Sequence, residues 1–137
     1  MVIDSSVLIA LLLAEPEADG FVAVIAGAPS RLVSAASYLE AAIVMLARSG
    51  PDSKEELDRL LAGLSVTIIP FTHEQALLAV TAYRLYGKGS GHPAGLNFGD
   101  CFTYALAKFT GEPVLFKGND FSRTDIEVAI AQPRDVS

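Results

Sequence analysis

Residues 1–6, Met-Val-Ile-Asp-Ser-Ser, set the pattern that decides the fold: a short apolar run, an acid and then the start of a helix. Short runs rich in apolar and β-branched residues are typical of buried strands in a parallel sheet. Such runs recur along the chain, each followed by a turn or cap residue. They predict strands at Val2-Ile3, Leu32-Val33, Val66 to Ile69 and Val114 to Phe116.

Longer segments with helical periodicity and capping residues separate these strands. They predict helices over Ser5 to Leu13, Glu17 to Ala26, Ala35 to Arg48, Lys54 to Ala62, His73 to Tyr86 and Phe98 to Phe109. Two helices between successive strands imply right-handed crossovers and helices on both faces of the sheet. We therefore predict an α/β fold with a central, mainly parallel sheet of four to five strands, the fifth being an edge strand at Ile126 to Ile130.

The size of the chain indicates a single domain over residues 1–137, because 137 residues can bury one hydrophobic core and no linker divides the sequence. The segment Gly87 to Gly95, with the sequence Gly-Lys-Gly-Ser-Gly-His-Pro-Ala-Gly, interrupts the helical pattern. We expect it to be a flexible loop in front of the last long helix.

Composition excludes several classes of protein. The longest apolar run, Val7 to Ala14, is far shorter than the roughly 18 residues of a membrane-spanning helix. Asp4 stands where a signal peptide needs a basic region, so we expect a cytoplasmic protein without a membrane partner. The single cysteine, Cys101, lies in an apolar helical pattern and is therefore expected to be a packed thiol, not a nucleophile.

The formal net charge of −6 argues against a protein that coats nucleic acid, since such proteins neutralise phosphates with Lys and Arg. That objection weakens if several acids gather at one point, because a divalent cation bound there supplies local positive charge. The positions of the acids therefore decide the functional interpretation.

Four acids are expected at one edge of the sheet. Ligands of open α/β sheets bind at the carboxyl ends of the strands. Asp4 ends the first strand, and Asp120 follows the last predicted strand by a few residues. Glu40 and Asp100 lie near the starts of helices that begin from the same edge.

Each of these acids also has a purely structural explanation. Asp4 fits an N-cap, although the two serines that follow it fit equally well. Asp100 comes three residues after Asn97 and fits a first-turn acid favoured by the helix dipole. Asp120 fits a turn residue, with Asn119 as a neighbouring oxygen donor.

Glu40 is the most informative of the four acids. It completes an S-x-x-E capping box with Ser37, but if the helix begins at Ser34 then Glu40 lies in the second turn. Its neighbours on the same helical face are all apolar: Ala36, Ile43, Val44 and Ala47. A carboxylate in an apolar stripe must offset its desolvation with a partner, a proton or a metal. We therefore favour a functional role over a glutamate that reaches water from the edge of the core.

A shared function explains four acids at one edge better than four separate structural roles. Two unit charges about 4 Å apart repel by roughly 4 kcal/mol at an effective dielectric constant of 20, so gathered carboxylates need protons or cations. Oxygen ligands select Mg²⁺ or Mn²⁺, whereas two separated histidines, His73 and His92, do not predict zinc. We expect the four acids to be both metal ligands and catalytic residues.

Four motifs in this order resemble the PIN domain family: Met-Val-Ile-Asp-Ser-Ser, Ser-Tyr-Leu-Glu-Ala-Ala, Gly-Leu-Asn-Phe-Gly-Asp-Cys-Phe and Leu-Phe-Lys-Gly-Asn-Asp-Phe. More narrowly, the chain is similar over nearly its whole length to VapC toxins of type II toxin–antitoxin pairs. The resemblance implies a three-layer α/β/α PIN-like fold and a divalent-metal endoribonuclease that inhibits translation and growth. It also implies a homodimer and a small cognate antitoxin that occludes the active site.

Position by position, the resemblance assigns the four acids to the acidic residues of the family. It assigns Ser6 to a polar residue that supports the first acid. Some relatives carry acids at both positions of the fourth motif, where this chain has Asn119 before Asp120. The resemblance therefore leaves open whether one or two metal ions take part.

Basic residues near the predicted site are candidates for contacts with RNA phosphates. They are Arg84, Lys88 and His92, in or beside the glycine-rich loop, and Lys117 near Asp120. The alternative for each is an ordinary solvated surface.

Two other functions stay open. A catalytically degenerate PIN-like module that binds RNA or protein is favoured by Asn119. A phosphoryl-transfer enzyme or receiver domain also places an aspartate after its first strand, but Asp4-Ser5-Ser6 lacks the second acid of a phosphatase motif.

Overall fold

The structure, a computed structural model, describes residues 1–129. Its strands are β1 (Val2–Ile3), β2 (Leu32–Ser34), β3 (Thr67–Ile69) and β4 (Val114–Leu115). Its helices are α1 (Ser5–Leu12), α2 (Ala18–Gly27), α3 (Ala35–Ser49), α4 (Ser53–Gly63), α5 (His73–Tyr86) and α6 (Phe98–Thr110), followed by a 3₁₀ helix at Asp120–Arg123. Each predicted helix is confirmed to within one residue at either end. Among the described residues, none of the helices is long and apolar enough to cross a bilayer.

The four strands form one parallel sheet in the order β3-β2-β1-β4. Val2 at the centre pairs with Leu32 on one side and Val114 on the other. The chain runs from β1 through β2 to β3 in one direction and then returns to the opposite side of β1 with β4. The winding direction therefore reverses between β1 and β4, which is where ligands of such sheets bind.

Adjacent residues of β1 point to opposite faces of the sheet and supply two separate cores. Ile3 packs with buried side chains of the first four helices, among them Leu8 of α1 and Leu57 of α4. Val2 packs on the other face against Leu106 of α6 and Ala82 of α5. The predicted three-layer α/β/α architecture is thus confirmed.

Two predictions about the sheet need correction. β3 is not a buried strand: Thr67 is exposed and Ile68 is 42% exposed, because the topology places β3 at an edge. The strand predicted at Ile126 to Ile130 is reduced, within residues 1–129, to a bridge in which Val128 pairs with Val114. Ile130 itself lies outside the described residues.

The glycine-rich segment Gly87 to Gly95 is a loop, as predicted, and it is closed at its base. The Lys88 N–H donates to the Leu96 carbonyl, and the Leu96 N–H donates to the Tyr86 carbonyl, both at 2.8 Å. A Cβ at Gly87 would lie 2.2 Å from the Tyr83 carbonyl oxygen, so this junction requires glycine.

The amino-terminal edge of the sheet carries charged groups that contact carbonyls or a carboxylate of the chain. The Arg31 guanidinium donates to the carbonyls of Ala26 at 2.9 Å and Leu64 at 2.8 Å, where α2 and α4 end. The last carbonyls of a helix have no partner within it, so Arg31 supplies the missing donors. Beside it, the Met1 ammonium contacts the Glu112 carboxylate at 2.6 Å.

Cys101 in α6 is a packed thiol, as predicted. It is buried, and its Sγ donates to the Asn97 carbonyl at 3.4 Å. Burial and the adjacent Asp100 raise the pKa of Cys101 to about 11, so the thiol stays protonated near neutral pH.

Candidate active site

Asp4 follows β1 directly, and its backbone N–H donates to the Leu115 carbonyl of β4 at 3.0 Å. The residue is only 4% exposed. Its Oδ2 accepts the Ser6 N–H at 3.1 Å, which makes Asp4 the N-cap of α1. Its Oδ1 accepts a hydrogen bond from Thr103 Oγ1 at 2.6 Å. Asp4 therefore caps a helix and also holds a buried carboxylate at the carboxyl edge of the sheet.

Ser6 contacts this region through both its backbone and its hydroxyl. Its N–H reaches Asp4, while its Oγ accepts the Lys117 N–H at 3.0 Å. Ser6 thus ties the start of α1 to the segment that follows β4. The supporting role of its hydroxyl toward Asp4 stays a prediction.

Glu40 lies in the second turn of α3, because Ser34 is the N-cap and accepts the Ala36 N–H at 3.2 Å. Glu40 Oε1 accepts a hydrogen bond from Ser5 Oγ at 2.6 Å. The same carboxylate fills the space beside Gly99, where a Cβ would lie 2.0 Å from Oε2. Glu40 is therefore held between the first turns of α1 and α6.

The apolar stripe around Glu40 does not bury it. Ile43 is 56% exposed, Val44 is half-buried, and Glu40 itself is half-buried. The desolvation argument for Glu40 was therefore wrong. Its contacts with Ser5 and Gly99, not its neighbours in α3, bring it to the edge of the sheet.

Asp100 forms the predicted start of α6 together with Asn97. The Asn97 side chain accepts the Asp100 N–H at 2.9 Å, and Asp100 Oδ2 accepts the Asn97 N–H at 3.0 Å, a complete capping box. Asp100 is 7% exposed. Burial raises the pKa of Asp100 to about 8; the Asn97 N–H opposes this effect, whereas Asp120 and Asp4 add to it.

Asp120 is an exposed residue at the start of the 3₁₀ helix. The next residue, Phe121, is 1% exposed and packs edge-on against Phe116 with ring centroids 5.0 Å apart. This packing anchors the segment and places Asp120 near enough to Asp100 to raise the pKa of that buried carboxyl further. Asn119 is exposed and makes no capping hydrogen bond through its side chain.

Asp4, Asp100 and Asp120 therefore lie near one another at the point where the winding reverses, and Glu40 approaches from α3. Within residues 1–129, no three carboxylate, imidazole or thiol groups converge closely enough to hold an ion as they stand. The donors are nevertheless all carboxylate oxygens around a buried acid that already favours its neutral form. Such a group suits a hard divalent cation, whose charge can replace that proton.

The candidate basic residues differ in whether their side chains already contact other groups of the chain. Lys117 Nζ pairs with Glu15 at 2.6 Å and Glu17 at 3.5 Å. His92 Nδ1 accepts the Ala94 N–H at 3.0 Å. Arg84 and Lys88 are exposed. Contacts of these four residues, Arg84, Lys88, His92 and Lys117, with RNA stay a prediction.

The sequence did not predict that three small residues contact the acids and shape the site. Thr103 and Ser5 donate hydrogen bonds to Asp4 and Glu40, and Gly99 makes room for Glu40. The spacing of Thr103, one helical turn after Asp100, was a usable signal because residues three apart share a helix face. The pairing of Ser5 with Glu40 depends on tertiary structure and had no comparable signal.

The model of the PIN domain family matches residues 1–127. The chain therefore belongs to the PIN domain family. Curated relatives define the type more narrowly. Ribonuclease VapC30 of Mycobacterium tuberculosis is 52% identical over 126 residues, which cover 92% of this chain and 95% of the relative. Ribonuclease VapC of Mycolicibacterium smegmatis is 51% identical over 126 residues, covering 92% and 97%. Within the PIN family, the chain is a VapC-type ribonuclease toxin.

Solved structures support the fold. The crystal structure of VapC20 of Mycobacterium tuberculosis, described as a toxin that cleaves the sarcin–ricin loop, aligns with a TM-score of 0.73 at 17% identity and covers 95% of this chain and 98% of that one. A toxin–antitoxin complex from Klebsiella pneumoniae aligns with a TM-score of 0.66 at 19% identity, covering 90% and 92%.

Proposed function

We propose that the endoribonuclease activity of this chain resides at the carboxyl edge of the sheet, where Asp4, Glu40, Asp100 and Asp120 bind Mg²⁺ or Mn²⁺. The observation that carries the proposal is the burial of two acids, Asp4 and Asp100, at this one edge; burial raises the pKa of Asp100 to about 8, and Asp120 and Asp4 add to the shift. Perturbed acids of this kind cluster at functional sites. The VapC-type relatives supply the reaction, hydrolysis of an RNA phosphodiester.

A bound divalent cation supplies positive charge for the RNA phosphate and for the attacking water. The chain itself orients the donors: Thr103 and the Ser6 N–H fix the two oxygens of Asp4, and Ser5 fixes Glu40. Because the Cys101 thiol stays protonated, water and not a cysteine thiolate is the nucleophile that fits this site.

We also propose RNA as the substrate, a cognate antitoxin and a second copy of the chain as protein partners, and a cytoplasmic location. The Klebsiella pneumoniae neighbour is a toxin–antitoxin complex, which supports the antitoxin. Asn119 stands where some relatives carry a second acid beside Asp120, so the stoichiometry of Mn²⁺ binding is the measurement that separates one-metal from two-metal mechanisms.

The test is RNA cleavage with Mg²⁺ or Mn²⁺ against EDTA, using wild type, Asp4→Asn and Glu40→Gln. Matched controls are Asp19→Asn on α2 and Glu55→Gln on α4, both at exposed positions. We expect cleavage only with the metal, its loss in the first two variants and its retention in the controls. Cleavage by Asp4→Asn and Glu40→Gln at the wild-type rate would refute the assignment. A wild type that binds RNA without cutting it would favour the degenerate binding module.

A further inference from the structure

A chain of buried hydroxyl groups reaches Asp4 from outside the acid cluster. Thr103 Oγ1 on α6 lies 2.6 Å from Asp4 Oδ1, and Ser37 Oγ on α3 lies 3.3 Å from Thr103 Oγ1. Thr103 and Ser37 are both 0% exposed. A buried hydroxyl costs free energy unless it is hydrogen-bonded. Within residues 1–129, the hydrogen bonds of these two hydroxyls run only to each other and to the Asp4 carboxylate.

The proton order in this chain follows from the donors available. An ionised carboxylate can only accept, so the single hydroxyl proton of Thr103 goes to Asp4. Thr103 can then only accept from Ser37, whose proton points along the same line. The three groups form a directed series from α3 through α6 to the end of β1, and each donor strengthens the next.

This arrangement fixes the plane of the Asp4 carboxylate. Thr103 takes one lone pair of Oδ1, and the Ser6 N–H takes one lone pair of Oδ2. Each oxygen keeps a second lone pair, which is available to a cation. Asp100 lies one turn before Thr103 on the same helix, so a single turn of α6 sets the relative placement of both acids.

We propose that Thr103 is a positioning residue for the divalent cation: it holds Asp4 in the orientation of a ligand, and Ser37 polarises its hydroxyl. The inference rests on the proposed function, because it requires Asp4 to bind the metal. Side chains that hydrogen-bond a metal ligand typically change metal affinity by about 10- to 100-fold when they are removed.

The direct test measures Mn²⁺ binding to the intact chain from the electron paramagnetic resonance signal of free Mn²⁺. Thr103→Val keeps the shape and removes the hydroxyl, and we expect about 10-fold weaker binding. Thr103→Ser restores the donor and should return to within about threefold of wild type. Thr81→Val is the matched control, since Thr81 is exposed on α5 and its hydroxyl donates to the Leu77 carbonyl of its own helix.

Ser37→Ala provides a second variant that leaves the contact between Thr103 and Asp4 in place. We expect it to weaken Mn²⁺ binding by about two- to threefold, because it removes only the polarising donor. Its use keeps the inference testable if Thr103→Val folds poorly. Equal Mn²⁺ binding by Ser37→Ala and wild type would mean that Ser37 does not polarise the Thr103 hydroxyl.

Cleavage at increasing Mg²⁺ separates positioning from a general structural role. In Thr103→Val the half-saturating Mg²⁺ concentration should rise by a factor similar to that for Mn²⁺, while the rate at saturation recovers most of its value. Wild-type metal binding in Thr103→Val, or equal losses in Thr103→Val and Thr103→Ser, overturns the inference alone. A wild type that binds no Mn²⁺ overturns the proposed metal site as well.

Discussion

The two edges of the sheet differ in whether groups within the chain compensate their charged side chains. At the amino-terminal edge, Arg31 bonds the carbonyls at two helix ends, and Glu112 neutralises the Met1 ammonium. At the carboxyl edge, Asp4, Asp100 and Asp120 face one another, and no ion pair in residues 1–129 neutralises them. Charges matched within the chain stabilise the fold, whereas unmatched charges are available to an external cation.

The largest expected effect is at the carboxyl edge. Asp100→Asn removes a carboxylate from the proposed metal site, and we expect kcat/KM for RNA to fall by at least about 100-fold. Glu112→Gln is the matched change at the opposite edge and should leave cleavage per folded molecule unchanged. Steady-state kinetics at saturating Mg²⁺ measure both. Similar losses in the two variants would contradict the division between the edges.

A second prediction concerns the stabilising edge. Arg31→Met removes the donors for the ends of α2 and α4, so the free energy of unfolding should fall by about 2 kcal/mol. Urea unfolding measures this change, with Arg59→Met on the exposed face of α4 as the control. Arg31→Lys should recover part of the loss. An unchanged unfolding midpoint in Arg31→Met would mean that these contacts do not stabilise the fold.

A third prediction concerns the contribution of Asp100 to the pH dependence of stability. The folded-state pKa of Asp100 is raised to about 8, whereas an unfolded aspartate titrates near about 3.9. The folded state therefore binds this proton more tightly, and its contribution to stability declines as pH rises from about 4 to about 8. Urea unfolding in EDTA at pH 5 and pH 8 should show a steeper decline for wild type than for Asp100→Asn. Equal declines in stability for wild type and Asp100→Asn would mean that Asp100 is not the source of this pH dependence.

The smallest expected effect concerns Lys117, a cation at the carboxyl edge that is already paired. Glu15→Gln with Glu17→Gln releases its Nζ, and RNA affinity in an Asp4→Asn background should rise by about two- to threefold at low salt. Adding Lys117→Met should cancel the gain, whereas adding Lys54→Met on α4 should not. A gain that survives Lys117→Met would instead reflect the loss of two negative charges.

The helices and the central strands could be predicted because their signals are local. The spacing of Asn97 and Asp100 alone predicted the start of α6, and the structure shows that the two residues form a capping box there. The exposure of β3 could not be predicted in this way, since it follows from the strand order of the whole sheet. Edge positions become visible only when the topology is known.

The candidate site shows the same limit. The four acids were predicted at one edge from their places after strands and at helix starts, and the structure locates them there. Glu40 was predicted at this edge because its helix begins there, but its partner Ser5 could not be predicted, because it is 35 residues away along the chain. Thr103 and Asp4 are 99 residues apart, so no sequence pattern pairs their side chains.

The contact between Gly99 and Glu40 makes these two positions genetically interdependent. A methyl group at position 99 would meet the Glu40 carboxylate at 2.0 Å, so Gly99→Ala should displace the flexible end of Glu40 from its contact with Ser5, an effect that should disappear beside a shorter side chain at position 40. We therefore expect epistasis between the two positions. A library that varies position 99 alone will underestimate the tolerance of α6, whereas joint variation with position 40 will reveal it.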